Sequence, residues 1–343
     1  MSNILVTGAN GFIGQHLTRK LVDDGHTVRA VSKNDSKLYF FRSDEVDYRI
    51  ADVGKRESLS GLMDGIDTVY HLAAVARNDL SKTWDDFYAV NVQGTINLLE
   101  EAQKADVKRF VFTSTVEAAG FGDGISPRKE TDPPNPINNY GKSKLLAEQQ
   151  VLSGTWSMEC TVLRLPMIYG PGTFLIVPKL FGMVRKGFYP MIGSGKAKME
   201  FCYVGNAVNG ITLAGEKEGA AGELFYISDE RSYSIKEVVS NIAASMDRKI
   251  AFIHFPIFIA NFIGLCWEIA AKILPFPPVI SKVSRKPFFS RETVYWTTRD
   301  VNIVSIEKIK NKLGYSPNVN IKDGTRKTAK WLNEELFAAG AKL

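Results

Sequence analysis

Cysteine is scarce in this chain. Cys160, Cys202 and Cys266 lie far apart and never as Cys-x-x-Cys. That argues against a disulfide framework or a thiolate zinc site and fits a reducing compartment. The four histidines, His16, His26, His71 and His254, show no metal-ligand spacing, so no metal is expected. No dense Lys/Arg block accompanies the formal net charge of +6, and nucleic-acid binding has no footprint. The first apolar strand pattern starts at Asn3, leaving no room for a signal peptide. A cytoplasmic protein is the expectation.

Long charge-free apolar runs are also missing. The most hydrophobic stretch, 255–274, is interrupted by Asn261, Glu268 and Lys272 and closed by Pro275, Pro277 and Pro278. It falls short of the roughly 20 uninterrupted apolar residues of a spanning helix. Two readings remain. One is a buried helix of a smaller domain. The other is a greasy entrance or peripheral membrane contact, with Lys272, Lys282, Arg285 and Lys286 facing anionic head groups.

What is present is an ordinary globular composition, with 45% hydrophobic and 23% charged residues in a chain of 343. That is enough for a substantial core in one large or two modest domains. Strand-like segments at 3–7, 27–31, 46–50, 67–72, 108–113 and 158–163 alternate with helical patterns, including 12–24 and about 85–104. This rhythm predicts a doubly wound parallel α/β sheet whose strand C-termini share one edge.

The richest stretch is Val6-Thr7-Gly8-Ala9-Asn10-Gly11-Phe12-Ile13-Gly14. A strand, a glycine turn and a helix opening are what a dinucleotide diphosphate requires, so Gly8, Asn10, Gly11, Phe12, Ile13 and Gly14 are candidate cofactor contacts. After the second strand, where a carboxylate would select NAD(H), stand Ser32 and Lys33. That favours NADP(H), with NAD(H) the alternative if Asp35 meets the ribose diol. Asp52 and Val53 are placed to meet an adenine ring, or Asp52 caps the next helix. His71-Leu72-Ala73-Ala74 ends a strand in small residues, letting a cofactor approach the backbone. Thr113, Ser114 and Thr115 carry hydroxyls at the end of the fifth strand. Tyr140 and Lys144, four apart on the helix that follows, share one face.

Together these residues resemble the extended short-chain dehydrogenase/reductase superfamily. The resemblance rests on Thr7-Gly-x-x-Gly-x-x-Gly14, Asp52-Val53, His71-Leu-Ala-Ala74, Asn91-Val-Gln-Gly-Thr95, Tyr140-x-x-x-Lys144 and Arg164-Leu-Pro-Met-Ile-Tyr-Gly-Pro-Gly172. It implies a Rossmann-type sheet over 1–165 and a smaller α/β substrate domain over 166–343, with strands near 201–204 and 224–228 rejoining the first. Among its branches, the pattern is closest to 3β-hydroxysteroid dehydrogenases. Counting back from Gly120, the substrate-binding hydroxyl falls on Thr115, with Ser114 as the fallback.

The resemblance further implies Tyr140 as acid/base. A free tyrosine has a pKa of about 10, and the Lys144 ammonium would lower it. Lys144 and Tyr140 also meet the nicotinamide ribose, Pro166 and Met167 border the nicotinamide, and Thr113 and Asn91 complete the cofactor contacts. Asn91 is expected to be more structural than catalytic. Sugar-nucleotide dehydratases carry Asp-Glu where this chain has Val116-Glu117, so dehydration lacks its acid. Many UDP-sugar enzymes have an Arg at the position of Met199, which Lys198 replaces only in part. The expected activity is interconversion of a secondary alcohol and ketone. The competing activity is that of a nucleotide-sugar 4-epimerase or UDP-4-keto-sugar reductase. Similar proteins are homodimers through helices such as 85–104 and 140–152.

Overall fold

The computed structural model describes residues 1–76, 82–173, 176–273, 291–300 and 303–337. Lys282, Arg285 and Lys286, expected to flank the apolar segment, and Pro275, Pro277 and Pro278 lie outside the described residues, as do the side chains of Glu268 and Lys272.

The chain opens with β1 (Asn3–Thr7), α1 (Phe12–Asp23), β2 (Thr27–Ser32), β3 (Asp47–Ile50) and β4 (Thr68–His71). A helical rod follows: α2 (Trp84–Phe87), a π-helical stretch (Tyr88–Gln93) and α3 (Gly94–Lys104). Then come β5 (Arg109–Thr115), α4 (Val116–Ala119), α5 (Asn139–Val151) and β6 (Glu159–Leu165).

The strands form a seven-stranded sheet in the order β3-β2-β1-β4-β5-β6-β11, where β11 is Leu224–Tyr226. All its pairings are parallel. Both faces are covered, so strands such as β1 read as continuous apolar runs rather than alternating ones. Ile4 and Val6 join the core on one face with Leu17 and Leu21 of α1. Leu5 joins the core on the other, with Leu98 and Leu99 of α3. The winding reverses between β1 and β4, which opens a crevice beyond their C-terminal ends. The register Thr7↔His71 brings the glycine turn beside Leu72–Ala74.

Pro166 has no N–H to continue β6. The chain then forms β7 (Met167–Tyr169), α6 (Ile176–Arg185), β8 (Phe188–Ile192), β9 (Lys198–Met199), β10 (Phe201–Tyr203) and α7 (Val204–Glu216) before β11. The strand near 201–204 does not return to the main sheet. It pairs in parallel with β7, because the step at Pro166 carries β7 away and presents its edge to β10. After β11 come β12 (Tyr233–Ser234), α8 (Ile235–Ser245), β13 (Ala251–Phe255), α9 (Ile257–Ile273), α10 (Arg291–Thr298), α11 (Glu307–Leu313) and α12 (Ile321–Leu332). β13 pairs in parallel with β8, and β12 pairs antiparallel with β9.

The apolar segment is a helix, but not a buried one. Among the described residues no helix is long and apolar enough to cross a membrane. The small residues Ala260 and Gly264 of α9 turn inward, whereas Phe258 and Phe262 are 74% and 66% exposed.

Candidate active site

The glycines of the opening turn are required by contact. Gly8 has φ +68, and a Cβ there would lie 2.8 Å from the Ala73 nitrogen. A Cβ on Gly14 would lie 2.1 Å from the Gly8 carbonyl oxygen. The turn is thus drawn tight beneath the first turn of α1, whose N-cap, Gly11, provides no side-chain cap. Uncapped N–H groups at the positive end of α1 suit a diphosphate, and the bare backbone lets one come close. The residues present fit a dinucleotide.

Around this cradle a set of side chains fixes the backbone. The Asn10 amide donates to the Asn34 carbonyl and Ser36 hydroxyl, and the Asn10 N–H donates to Ser32 Oγ at 3.1 Å. Ser32 is buried, so it supports the turn from below. Gln15, not foreseen in the sequence, is also buried and bridges the Asn10 carbonyl and the Tyr39 N–H. Phe12 stands beside the ring of His16, whose Nε2 meets the Pro171 carbonyl at 2.8 Å, and Ile13 packs on the core. Pro166 and Met167 are half-buried where β6 gives way to β7.

On the adenosine side, Lys33 and Asp52 meet in an ion pair at 2.9 Å. Burial alone would raise the Asp52 carboxyl, but the Lys33 ammonium and the Gly54 N–H hold it below the usual range. Asp52 thus closes a local turn as well as facing Lys33. Val53, expected against an adenine ring, is packed in the core instead. The bare Gly94 backbone makes room for it, since a Cβ there would lie 2.9 Å from Val53 Cγ2.

A buried polar relay joins this half to the helix of Tyr140. Thr7 Oγ1 accepts the N–H groups of Leu72 and Ala73, which fills its lone pairs. Its own hydrogen therefore goes to His71 Nδ1, 2.7 Å away. His71 Nε2 then carries the ring hydrogen and donates to Thr95 Oγ1 at 3.0 Å, and Thr95 donates to the Asn91 carbonyl. Burial first, then the nearby Lys144 charge, holds His71 well below the ordinary imidazole range. His71 is a neutral structural tie.

The Asn91 side chain is consumed in the same network. Its oxygen accepts the Val75 N–H, and its amide donates to the Val75 carbonyl and to Ser143 Oγ. Ser143 donates to the Tyr140 carbonyl. Asn91 therefore holds the Leu72–Val75 loop against α5. Thr113 likewise spends its hydroxyl on the His71 carbonyl.

Helix α5 is locked to the end of β5. Asn138 caps it by accepting the Gly141 N–H and reaches the Glu117 carboxylate of α4 at 2.7 Å. A Cβ on Gly141 would lie 2.3 Å from the Glu117 carbonyl, so only glycine permits this approach. Tyr140, Lys144 and Glu148 form one stripe down the helix. The half-buried Tyr140 packs near Phe87. Lys144 is 1% exposed, with Nζ 3.9 Å from the centroid of the Phe112 ring. Burial pushes its ammonium down to about 7, against the attraction of Glu148.

The two hydroxyls at the strand end diverge. Thr115 Oγ1 accepts the Glu117 N–H and keeps a hydrogen to donate. Ser114 lies beneath α5 and donates to Glu148, which also pairs with Arg164 at 2.7 Å in a nearly dry ion pair. The hydroxyl of Ser114, the fallback for contacting substrate, is thus engaged with Glu148. Neither Glu148 nor Arg164 was singled out from sequence as its partner.

The sequence profile of the NAD-dependent epimerase/dehydratase family matches residues 4–228. The chain belongs to this family. Its relatives include N-acetyl-α-D-glucosaminyl-diphospho-ditrans,octacis-undecaprenol 4-epimerase of Escherichia coli O157:H7, 31% identical over 83% of this chain and 85% of that one. The 3β-hydroxysteroid dehydrogenase/Δ5→4-isomerase of Mycobacterium tuberculosis (strain CDC 1551 / Oshkosh) is 30% identical over 92% of this chain and 86% of that one. Among solved structures, UDP-glucose 4-epimerase of Thermotoga maritima with UDP-glucose superposes with a TM-score of 0.76 at 25% identity, covering 97% of this chain and 99% of the other. The chain is thus an epimerase/dehydratase-type oxidoreductase of the extended short-chain family, with a nicotinamide dinucleotide as its cofactor class.

Proposed function

We propose that the protein interconverts a secondary alcohol and its ketone, in the style of 3β-hydroxysteroid dehydrogenases, with Tyr140 as acid/base. The observation that carries this reading is the locking of α5 to the end of β5. The Asn138–Glu117 bond and the Gly141 approach tie the first turn of α5, which carries Tyr140, to α4, the helix that follows Thr115. A bound nicotinamide supplies or accepts the hydride. Gly8–Gly14 and the N-terminus of α1 hold its diphosphate, and Leu72, Ala73, Ala74, Pro166 and Met167 line its path. Thr115 donates its remaining hydrogen to the substrate oxygen. Tyr140 Oη delivers the proton to that oxygen in reduction and takes it in oxidation. The Lys144 ammonium favours the phenolate and meets the ribose.

On the cofactor's far side, Lys33 gives a 2′-phosphate a cation, favouring NADP(H) over NAD(H). The protein acts as a homodimer through helices such as 85–104 and 140–152, in the cytoplasm or at its membrane face.

A second reading, 4-epimerisation of a diphosphate-linked sugar, draws on the likeness to the Escherichia coli enzyme. Met199 is buried in the core, and the neighbouring Lys198 is only a partial substitute for the arginine that UDP-sugar enzymes of the resembling branches place there. That favours a lipid-like alcohol or a lipid-linked sugar over a nucleotide sugar in either reading. The two readings part in one assay. A dehydrogenase changes the reduced-nicotinamide absorbance, at about 340 nm, in step with product. Product formed with no absorbance change, by protein that copurifies with its dinucleotide, supports the epimerase instead.

A further inference from the structure

Helix α9 is built inside out. Its inward stripe carries Ala260 and Gly264, and Ala260 packs with Ile192 of β8 and Val294 of α10. Its outward stripe, at spacings of four, three and four, is Phe258, Phe262, Leu265 and Ile269, from 41% to 74% exposed. Ile257, Ile259 and Ile263 widen it, and Phe188 of β8 and Ile253 of β13, in the strand pair of the same lobe, are also exposed. A contiguous patch of this kind on a globular chain marks an interaction surface.

The charge of the same stretch of sequence points to what covers it. Exposed Lys186 precedes β8, and exposed Arg248 and Lys249 precede its partner β13. From Arg248 to Arg291 the sequence holds seven Lys or Arg (248, 249, 272, 282, 285, 286, 291) and a single acid, Glu268. An apolar helix face set within a basic stretch suits an anionic bilayer, in which such a helix lies at the head-group boundary.

The same lobe reaches the candidate active site. α10 packs on α9, and its Tyr295 and Trp296 rings stand 4.6 and 4.9 Å from Phe121, in the loop that follows Thr115 and α4. We infer that α9 seats the protein on an anionic phospholipid surface, from which a membrane-resident substrate enters beneath α10 towards Tyr140.

The docking itself does not depend on which of the two reactions runs. The test is flotation of the full chain with vesicles of phosphatidylcholine alone or mixed with phosphatidylglycerol. Wild type should float with the mixed vesicles and lose binding as salt rises. Phe258→Glu/Phe262→Glu should lower the bound fraction about tenfold or more while keeping the melting temperature and its rise with added dinucleotide. Arg248→Glu/Lys249→Glu should weaken binding to the mixed vesicles alone. Tyr140→Phe should float like wild type, which separates this inference from the catalytic reading. Wild type that stays unbound with mixed vesicles overturns the docking. So does a dimer that the Phe258/Phe262 variant dissociates, which would make the face a contact between two copies.

Discussion

Lys144 is the residue whose chemistry and stability pull in opposite directions. It is an ammonium with almost no access to water, and burial has pushed its pKa down to about 7 from 10.5. Below pH 7 the folded chain carries the full cost of that buried charge. Between about 7 and 10.5 the unfolded chain holds a proton that the folded chain has released, so stability rises with pH. Above that range the cost is gone. Lys144→Met should therefore abolish turnover yet stabilise the fold by about 1–4 kcal/mol at pH 6, an advantage that shrinks towards pH 10. Denaturant unfolding of the two proteins across that range checks it. A variant less stable at pH 6 would contradict the assignment.

Arg164 stands in the opposite position. Its guanidinium donates to both oxygens of Glu148 and to the Tyr226 hydroxyl, all buried. Arg164→Met leaves the Glu148 carboxylate without its cation and should cost about 3–5 kcal/mol, read as a lowered denaturant midpoint. Ser114, the fallback to Thr115, is drawn to Glu148 for a reason visible at this scale. Phe112 and Ser114 share the strand face that α5 covers, whereas Thr115 lies at the strand's end, where the chain turns into α4. Alternation along a strand states this parity, but it does not say which face the next helix will cover.

At the scale of elements, the glycine turn and α5 were legible because both depend on residues with few substitutes. Gly8 needs a positive φ, Gly14 needs the missing Cβ, and Tyr140 and Lys144 must share a helix face. Gly14→Ala brings a methyl within 2.1 Å of the Gly8 carbonyl. It should open the turn and remove the rise in melting temperature on adding dinucleotide, while the fold survives. A retained rise would show that the turn is not the diphosphate cradle. The short strand β10 was less legible, because three apolar residues fit an edge of the main sheet as well as one of a satellite pair. For α9, strong hydrophobicity gave the helix but not its outward face. That face depends on the small Ala260, which packs with Ile192 of β8 and Val294 of α10.

At the scale of the whole molecule, a buried chain of hydrogen bonds runs from the glycine turn to α5. The relay from Thr7 through His71, Thr95, Asn91 and Ser143 to the Tyr140 carbonyl ties the cofactor turn to the helix of the acid/base. Spacing named the groups at each end of it. The bonds between them required the sheet, since Thr7 meets His71 only when β1 pairs with β4. The central claim is that Tyr140 exchanges the proton while the glycine turn holds the dinucleotide. The measurement that bears on it most directly compares Tyr140→Phe with wild type in turnover and in dinucleotide affinity. Turnover should fall by about two to four orders of magnitude with affinity nearly intact. Unchanged turnover would contradict the account.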